Sequence, residues 1–112
     1  MVLTTTGKNG IRDLINTAKD FGEMGTGTNA PQPSDTSLQT PVTATQTALT
    51  SSTADKTLLL DYTLNSVTGN GNTLTEFRNT ISSGTTLSRV TFAGIQKTSS
   101  IEVEVSTTLF IE

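Results

Sequence analysis

Four acidic side chains, Asp61, Glu76, Glu102 and Glu104, are the first candidates for chemistry in this chain. Paired carboxylates catalyse proton transfer and glycosidic cleavage when one of them sits in an apolar pocket that keeps it protonated. Glu102 and Glu104 are two residues apart, so an extended chain places both on one face. That face is the polar side of an alternating stretch, and carboxylates there keep a strand soluble rather than serve a substrate. The chain has no His and no Cys. The commonest acid–base group, the usual zinc ligands, a thiolate nucleophile and a disulfide framework are therefore missing together. Gly25-Thr26-Gly27-Thr28 invites a phosphate-loop reading. It lacks the third glycine of a dinucleotide fingerprint, no Gly-Lys-Ser/Thr follows, and no helix opens after it. The Gly, Asn and Pro residues from Gly25 to Thr36 read as a loop needing unusual backbone angles. No run of oxygen ligands has calcium-loop spacing. These residues predict no enzyme, no cofactor and no metal.

The elements that would position such groups are mostly strands. Ile101, Val103, Val105, Leu109 and Ile111 share one face of the stretch Ile101 to Glu112, and Glu102, Glu104, Ser106, Thr108 and Glu112 share the other. Period two marks a strand with one buried and one wet face. Phe110 interrupts the wet face and is expected to be covered. Lys56 to Val67 gives a second strand, with Leu58, Leu60, Tyr62 and Leu64 on one side. Gly69-Asn70-Gly71-Asn72 predicts a tight turn, since Asn-Gly tolerates positive φ. Leu74 to Ile81 follows as the returning strand, with Phe77 and Ile81 on one face. Ser82-Ser83-Gly84 turns the chain into Thr85 to Phe92, where Val90 and Phe92 point inward and Leu87 falls out of phase, as at a β-bulge. Phe21 to Met24 is a short strand. Thr43, Thr45 and Thr47 alternate with Ala44 and Gln46, which predicts a polar strand at an edge or against another subunit.

One helix is expected. Ile11, Leu14, Ile15 and Ala18 recur at helical spacing, over about Lys8 to Asp20. Thr6 or Asn9 can cap it, and Gly22 sits where such a helix ends. Its apolar stripe is expected to lie on a sheet or on a neighbouring subunit, with Arg12 and Asp13 solvated. The fold class predicted is mainly β, a small antiparallel β-sandwich or jelly-roll-like domain with one short N-terminal α-helix, in a single domain over 1–112 with a Gly/Pro loop at about 25–37.

Composition sets the partners. The 112 residues are 32% hydrophobic and 15% charged, and about a third are Ser or Thr. That suits half-exposed strands better than a large core, so burial is expected to be completed by copies of the chain. The net charge is −3, and the seven basic residues Lys8, Arg12, Lys19, Lys56, Arg78, Arg89 and Lys97 are scattered. Nucleic-acid binding wants a basic stripe with stacking rings, so none is expected. No stretch approaches a membrane span, and Met1 to Thr6 has neither the charged nor the apolar region of a signal peptide.

The order of features resembles small structural proteins of tailed phages and related archaeal viruses. More distantly it is similar to the amino-terminal attachment domain of tail-fibre proteins of the tail-collar type. The residues that carry the resemblance are Asn9-Gly10-Ile11-Arg12-Asp13-Leu14-Ile15, then Gly25-Thr26-Gly27-Thr28, Pro31, Pro33, Ser34-Asp35-Thr36 and Leu38. Glu76-Phe77, Leu87, Arg89, Phe92, Ile95, Lys97-Thr98 and the closing strand complete it. The family pattern departs at Gln39-Thr40-Pro41 and at Arg78-Asn79, and no fibre shaft is expected after Glu112. The resemblance thus implies a virion structural protein assembled in the host cytoplasm, as a tail or baseplate adaptor or a fibre-attachment module. The alternative is a capsid decoration, cement or turret protein. The expected partners are copies of itself, in a homo-oligomer with a trimer as the expected form, and the baseplate, tail or major capsid protein. The expected interface residues are Ile11, Leu14, Ile15, Gly25, Thr26, Gly27, Pro31, Pro33, Thr43, Thr45 and Thr47. A carbohydrate-binding sandwich is a further alternative, disfavoured because no Trp and a single Tyr leave little for a sugar platform.

Overall fold

The computed structural model describes Met1–Glu112. Helix α1 spans Thr5–Ala18. Strands β1 (Lys19–Gly25), β2 (Thr47–Ala48), β3 (Thr50–Ala54), β4 (Thr57–Leu64), β5 (Thr73–Ile81), β6 (Thr85–Gln96) and β7 (Val103–Phe110) follow, with a 3-10 turn at Thr43–Thr45. All pairings are antiparallel, in one sheet ordered β2-β1-β5-β6 and one ordered β3-β4-β7. The two sheets stack as the expected sandwich.

The core follows the alternation read from β4. Leu58, Leu60, Tyr62 and Leu64 are buried and meet Met24, Phe77 and Leu74 from the opposite sheet. The Tyr62 and Phe77 rings are tilted at 58° with centroids 4.9 Å apart, a favoured aromatic geometry. Gly22 lets β1 cross them closely. A Cβ there would collide with Tyr62 Cδ2 and lie 2.9 Å from Phe77 Cε1. One buried residue, Leu49, links β2 to β3 and closes that side of the sandwich.

Several expectations need correction. The helix cap is Thr4, whose Oγ1 accepts the Gly7 amide at 3.0 Å, not Thr6 or Asn9. The helix ends at Ala18 without a glycine because Lys19 enters β1 directly, and the Ser82 amide takes the Ala18 carbonyl. The Gly69–Asn72 turn has the expected positive φ at Gly69 and Gly71. It is no hairpin, however, because it carries the chain from β4 in one sheet to β5 in the other. Buried Lys97 holds this turn, its Nζ donating to Asn70 Oδ1 at 2.8 Å and to the Thr98 carbonyl. Thr43 to Thr47 is not one polar strand. Thr45 is fully buried, accepts the Met24 amide and donates to the Val42 carbonyl, which bends the segment into a 3-10 turn. The bulge at Leu87 is present, between the pairs Asn79↔Ser88 and Thr80↔Thr86.

Candidate functional site

The scattered charges come together on the outer face of β1, β5 and β6. Register sets Glu23 opposite Arg78, and Arg78 opposite Arg89. Two arginines facing each other repel, and acids on either side relieve this. Glu23 Oε1 lies 2.8 Å from Arg78 Nη2. Glu76 Oε1 and Asp35 Oδ2 each lie 3.0 Å from Arg89. The layer is covered by the irregular segment from Thr26 to Pro41, which lies across it as a strap.

Glu76 is the anchor of that strap. It is fully buried. Its Oε2 accepts the amides of Gly27 at 2.7 Å and Thr40 at 2.9 Å, and its Oε1 accepts the Gln39 amide and Arg89 Nε and Nη2. Gly25 and Gly27 serve close approach. A Cβ on Gly27 would sit 2.6 Å from Glu76 Oε2, and one on Gly25 2.5 Å from it. Neither glycine has positive φ, which corrects the expectation of unusual angles. The Gly-Thr-Gly stretch gives one amide, that of Gly27, to an anion, but the anion is the chain's own carboxylate and Gln39 and Thr40 supply the other two. A hollow of about 310 Å³ opens beside the strap at Asn29, Ser34 and Gln39. Its floor, Arg89, is already held by Glu76 and Asp35.

Burial alone would push the Glu76 carboxyl up. The amides of Thr40, Gln39 and Gly27, with Arg89, outweigh it and hold the group below the usual carboxylate range. Asp35 is lowered as well, chiefly by the Gln32 amide. Such groups stabilise the fold fully above their unfolded pKa values and lose that contribution as pH falls through the folded ones. Urea midpoints are therefore expected to hold steady from neutral pH down to the ordinary glutamate value of 4.5 and to fall below it. A midpoint that rises on acidification would contradict this. The sign excludes Glu76 from the raised-pKa acid role. Glu102 and Glu104 are exposed, as expected for a wet face.

The second feature is a row of sheet edges. β2 has two residues. β3 has five residues, four of them exposed, and α1 touches it and its flank through Ser51 Oγ to Asn16, Arg12 Nη1 to the Ala54 carbonyl, and Lys56 N to Asn9. Arg12 is thus docked rather than solvated, and Leu14 of the apolar stripe is left 72% exposed. The stripe is split: Ile15 packs against the core as expected, while Ile11 and Leu14 stay exposed because polar groups also hold the helix to the sheet. β6 is broken by two register shifts. β7 alone is long, regular and unpaired along one side, with no proline and with Glu104 as its single charge. Between β6 and β7 lies an apolar groove of about 370 Å³, lined by Phe92, Ala93, Ile95, Val103 and Val105 with Met24 at its floor. Val90 stands opposite Phe77 in the register, but it is 47% exposed and does not join the core as Leu87 and Phe92 do, which corrects the expectation that it is buried. Phe110 is 68% exposed, so its expected cover is not supplied by the chain.

Of the expected interface residues, Leu14, Pro31, Pro33 and Thr43 are exposed, and Ile11 borders on exposure. Ile15, Thr26 and Thr47 are half-buried. Gly25, Gly27 and Thr45 are buried by their own chain and are removed from the docking surface. The structure does not gather these residues into one patch. The β7 edge and its groove lie outside the expected interface, because the alternation of Ile101 to Glu112 marks a strand without saying how many neighbours flank it. No protein-family profile, curated protein or solved structure matches the chain. No helix is long and apolar enough to cross a membrane.

Proposed function

We propose that this chain is a non-enzymatic structural module of a virus particle that works by assembling with copies of itself. The observation that carries the reading is the open β7 edge beside an apolar groove, on a molecule whose other edges are short or bulged. Natural sheets protect long regular edges unless another chain pairs with them. The buried acids Glu23 and Glu76 support the same reading, since arginines and amides already saturate them. The resemblance to small virion proteins supplies the setting, as a tail or baseplate adaptor or a capsid decoration. Contacts repeated over a symmetric particle add avidity to a weak pairwise interface.

Light scattering across a concentration series tests the assembly. A defined oligomer is the expected result. A folded monomer at every concentration would overturn the reading.

A further inference from the structure

We infer that β7 pairs antiparallel with β7 of a second copy, about a two-fold axis at Thr107, joining two three-stranded sheets into one of six. The inference rests on the assembly reading above and names its contact.

The backbone fixes the register. The Ile111 amide donates to the Lys56 carbonyl, one step beyond Thr57↔Phe110, the last pair of the β4–β7 register. Bonded pairs alternate along an antiparallel ladder. Residues 103, 105, 107 and 109 therefore turn their amides and carbonyls toward β4, and Glu104, Ser106, Thr108 and Phe110 turn theirs outward. An axis at Thr107 sets 104 opposite 110 and 106 opposite 108, so all four outward residues of each copy are paired with one another. An axis one residue away would leave one of them without a partner inside the strand.

The same register fills the groove. On the inner face, Leu109 of the second copy falls opposite Val105, and its Ile111 falls opposite Val103. Val103 and Val105 line the groove, whereas Leu109 and Ile111 are only half-buried in the single chain. The apolar stripe at one end of β7 is thus the complement of the groove at the other. On the outer face, Phe110 comes to lie against the Glu104 stem. An unpaired acceptor lies at the axis as well. Asn79 Nδ2 donates to Thr107 Oγ1 at 2.8 Å, while the buried Asn79 Oδ1 has no partner within the chain. The two-fold brings a second Thr107 hydroxyl beside this amide.

Charge permits the contact. The two Glu104 side chains are offset by six residues, about 20 Å along the strand, beyond a Debye length of about 8 Å. Area predicts its strength. An edge of eight residues is about 27 Å long, and with the groove beside it the contact falls on the order of 1,000 Å² in total. That is the low end for specific contacts, so the dimer is reversible. A contact of this isologous kind closes at two copies, which favours a dimer over the expected trimer.

The test uses three variants of the full chain, which has no cysteine of its own. Thr107→Cys faces its own copy across a non-bonded pair, about 4.5 Å between Cα atoms, within disulfide reach. Ser106→Cys lies on the outer face opposite Thr108 and serves as the register control. Thr108→Pro removes only an outward amide, which an edge strand tolerates. Under mild oxidation, T107C is expected to convert to covalent dimer at least tenfold faster than S106C. T108P is expected to keep the wild-type circular dichroism and to lose dimerisation in light scattering. A wild-type oligomer that T108P leaves unchanged, or cross-linking of S106C as fast as T107C, would overturn the β7 contact and leave the assembly reading standing. A wild type that is monomeric throughout would overturn both.

Discussion

Replacing Glu76 by glutamine is expected to remove about 3–5 kcal/mol of folding stability, the cost of breaking one side of a buried ion pair. Five donors converge on the two carboxylate oxygens, three backbone amides and two guanidinium nitrogens. A glutamine must turn its NH₂ toward at least two of them, which sets donor against donor. It also leaves Arg89, whose side chain is 4% exposed, with Asp35 as its only acid. A domain of this size has roughly 5–15 kcal/mol in all, so the loss is a large fraction of it. The urea midpoint is expected to fall by roughly 2 M at unchanged m. Asp35→Asn, at the exposed end of the network, is expected to cost far less. Equal effects from the two variants would mean that Glu76 is not what holds the strap. In E76Q the decline of stability in acid should also become shallower, because the Glu76 contribution is gone.

Phe77→Ala is expected to cost about 3–5 kcal/mol, as for other buried aromatic deletions. Phe77 is 1% exposed and provides the main ring contact to Tyr62 across the two sheets. The informative measurement is a double-mutant cycle with Gly22→Ala. Alone, G22A pushes a methyl group into both rings, and overpacking of this kind costs about 1–3 kcal/mol. In the F77A background one ring is gone and the methyl group has somewhere to go. The double variant should therefore be more stable than the sum of its parts by at least about 0.5 kcal/mol. Strict additivity in chemical denaturation would show that Gly22 is small for another reason.

The architecture was legible where one residue type decides one face. Leu58, Leu60, Tyr62 and Leu64 announce both a strand and its buried side, and the core is built on them. Leu87 announces its own bulge by falling out of phase. The helix was legible as a helix, but the direction of its apolar stripe was not. Asn9, Arg12 and Asn16 bind β3 and its flank through polar groups that periodicity cannot weigh. The charged layer was invisible for a different reason. Glu23, Glu76, Arg78 and Arg89 are separated along the chain and meet only through strand register, which no local pattern encodes. The Gly25–Gly27 loop showed its small residues, yet their reason is a carboxylate about 50 positions away. The edge at β7 followed from sheet order, because a strand that reads as half-buried does not say whether one neighbour or two will flank it.

The strap also bears on the order in which the molecule assembles itself. Its ties to Glu76 and Arg89 close over separations of 36 to 60 residues. Closing loops of that span is slow, and a lone carboxylate gives no return until its donors surround it. The β1–β5–β6 ribbon must therefore exist before the segment from Thr26 to Thr40 can settle. Until then the Glu23–Arg78 and Glu76–Arg89 pairs of the ribbon stay open to water, and the strap closes over charges that are already matched.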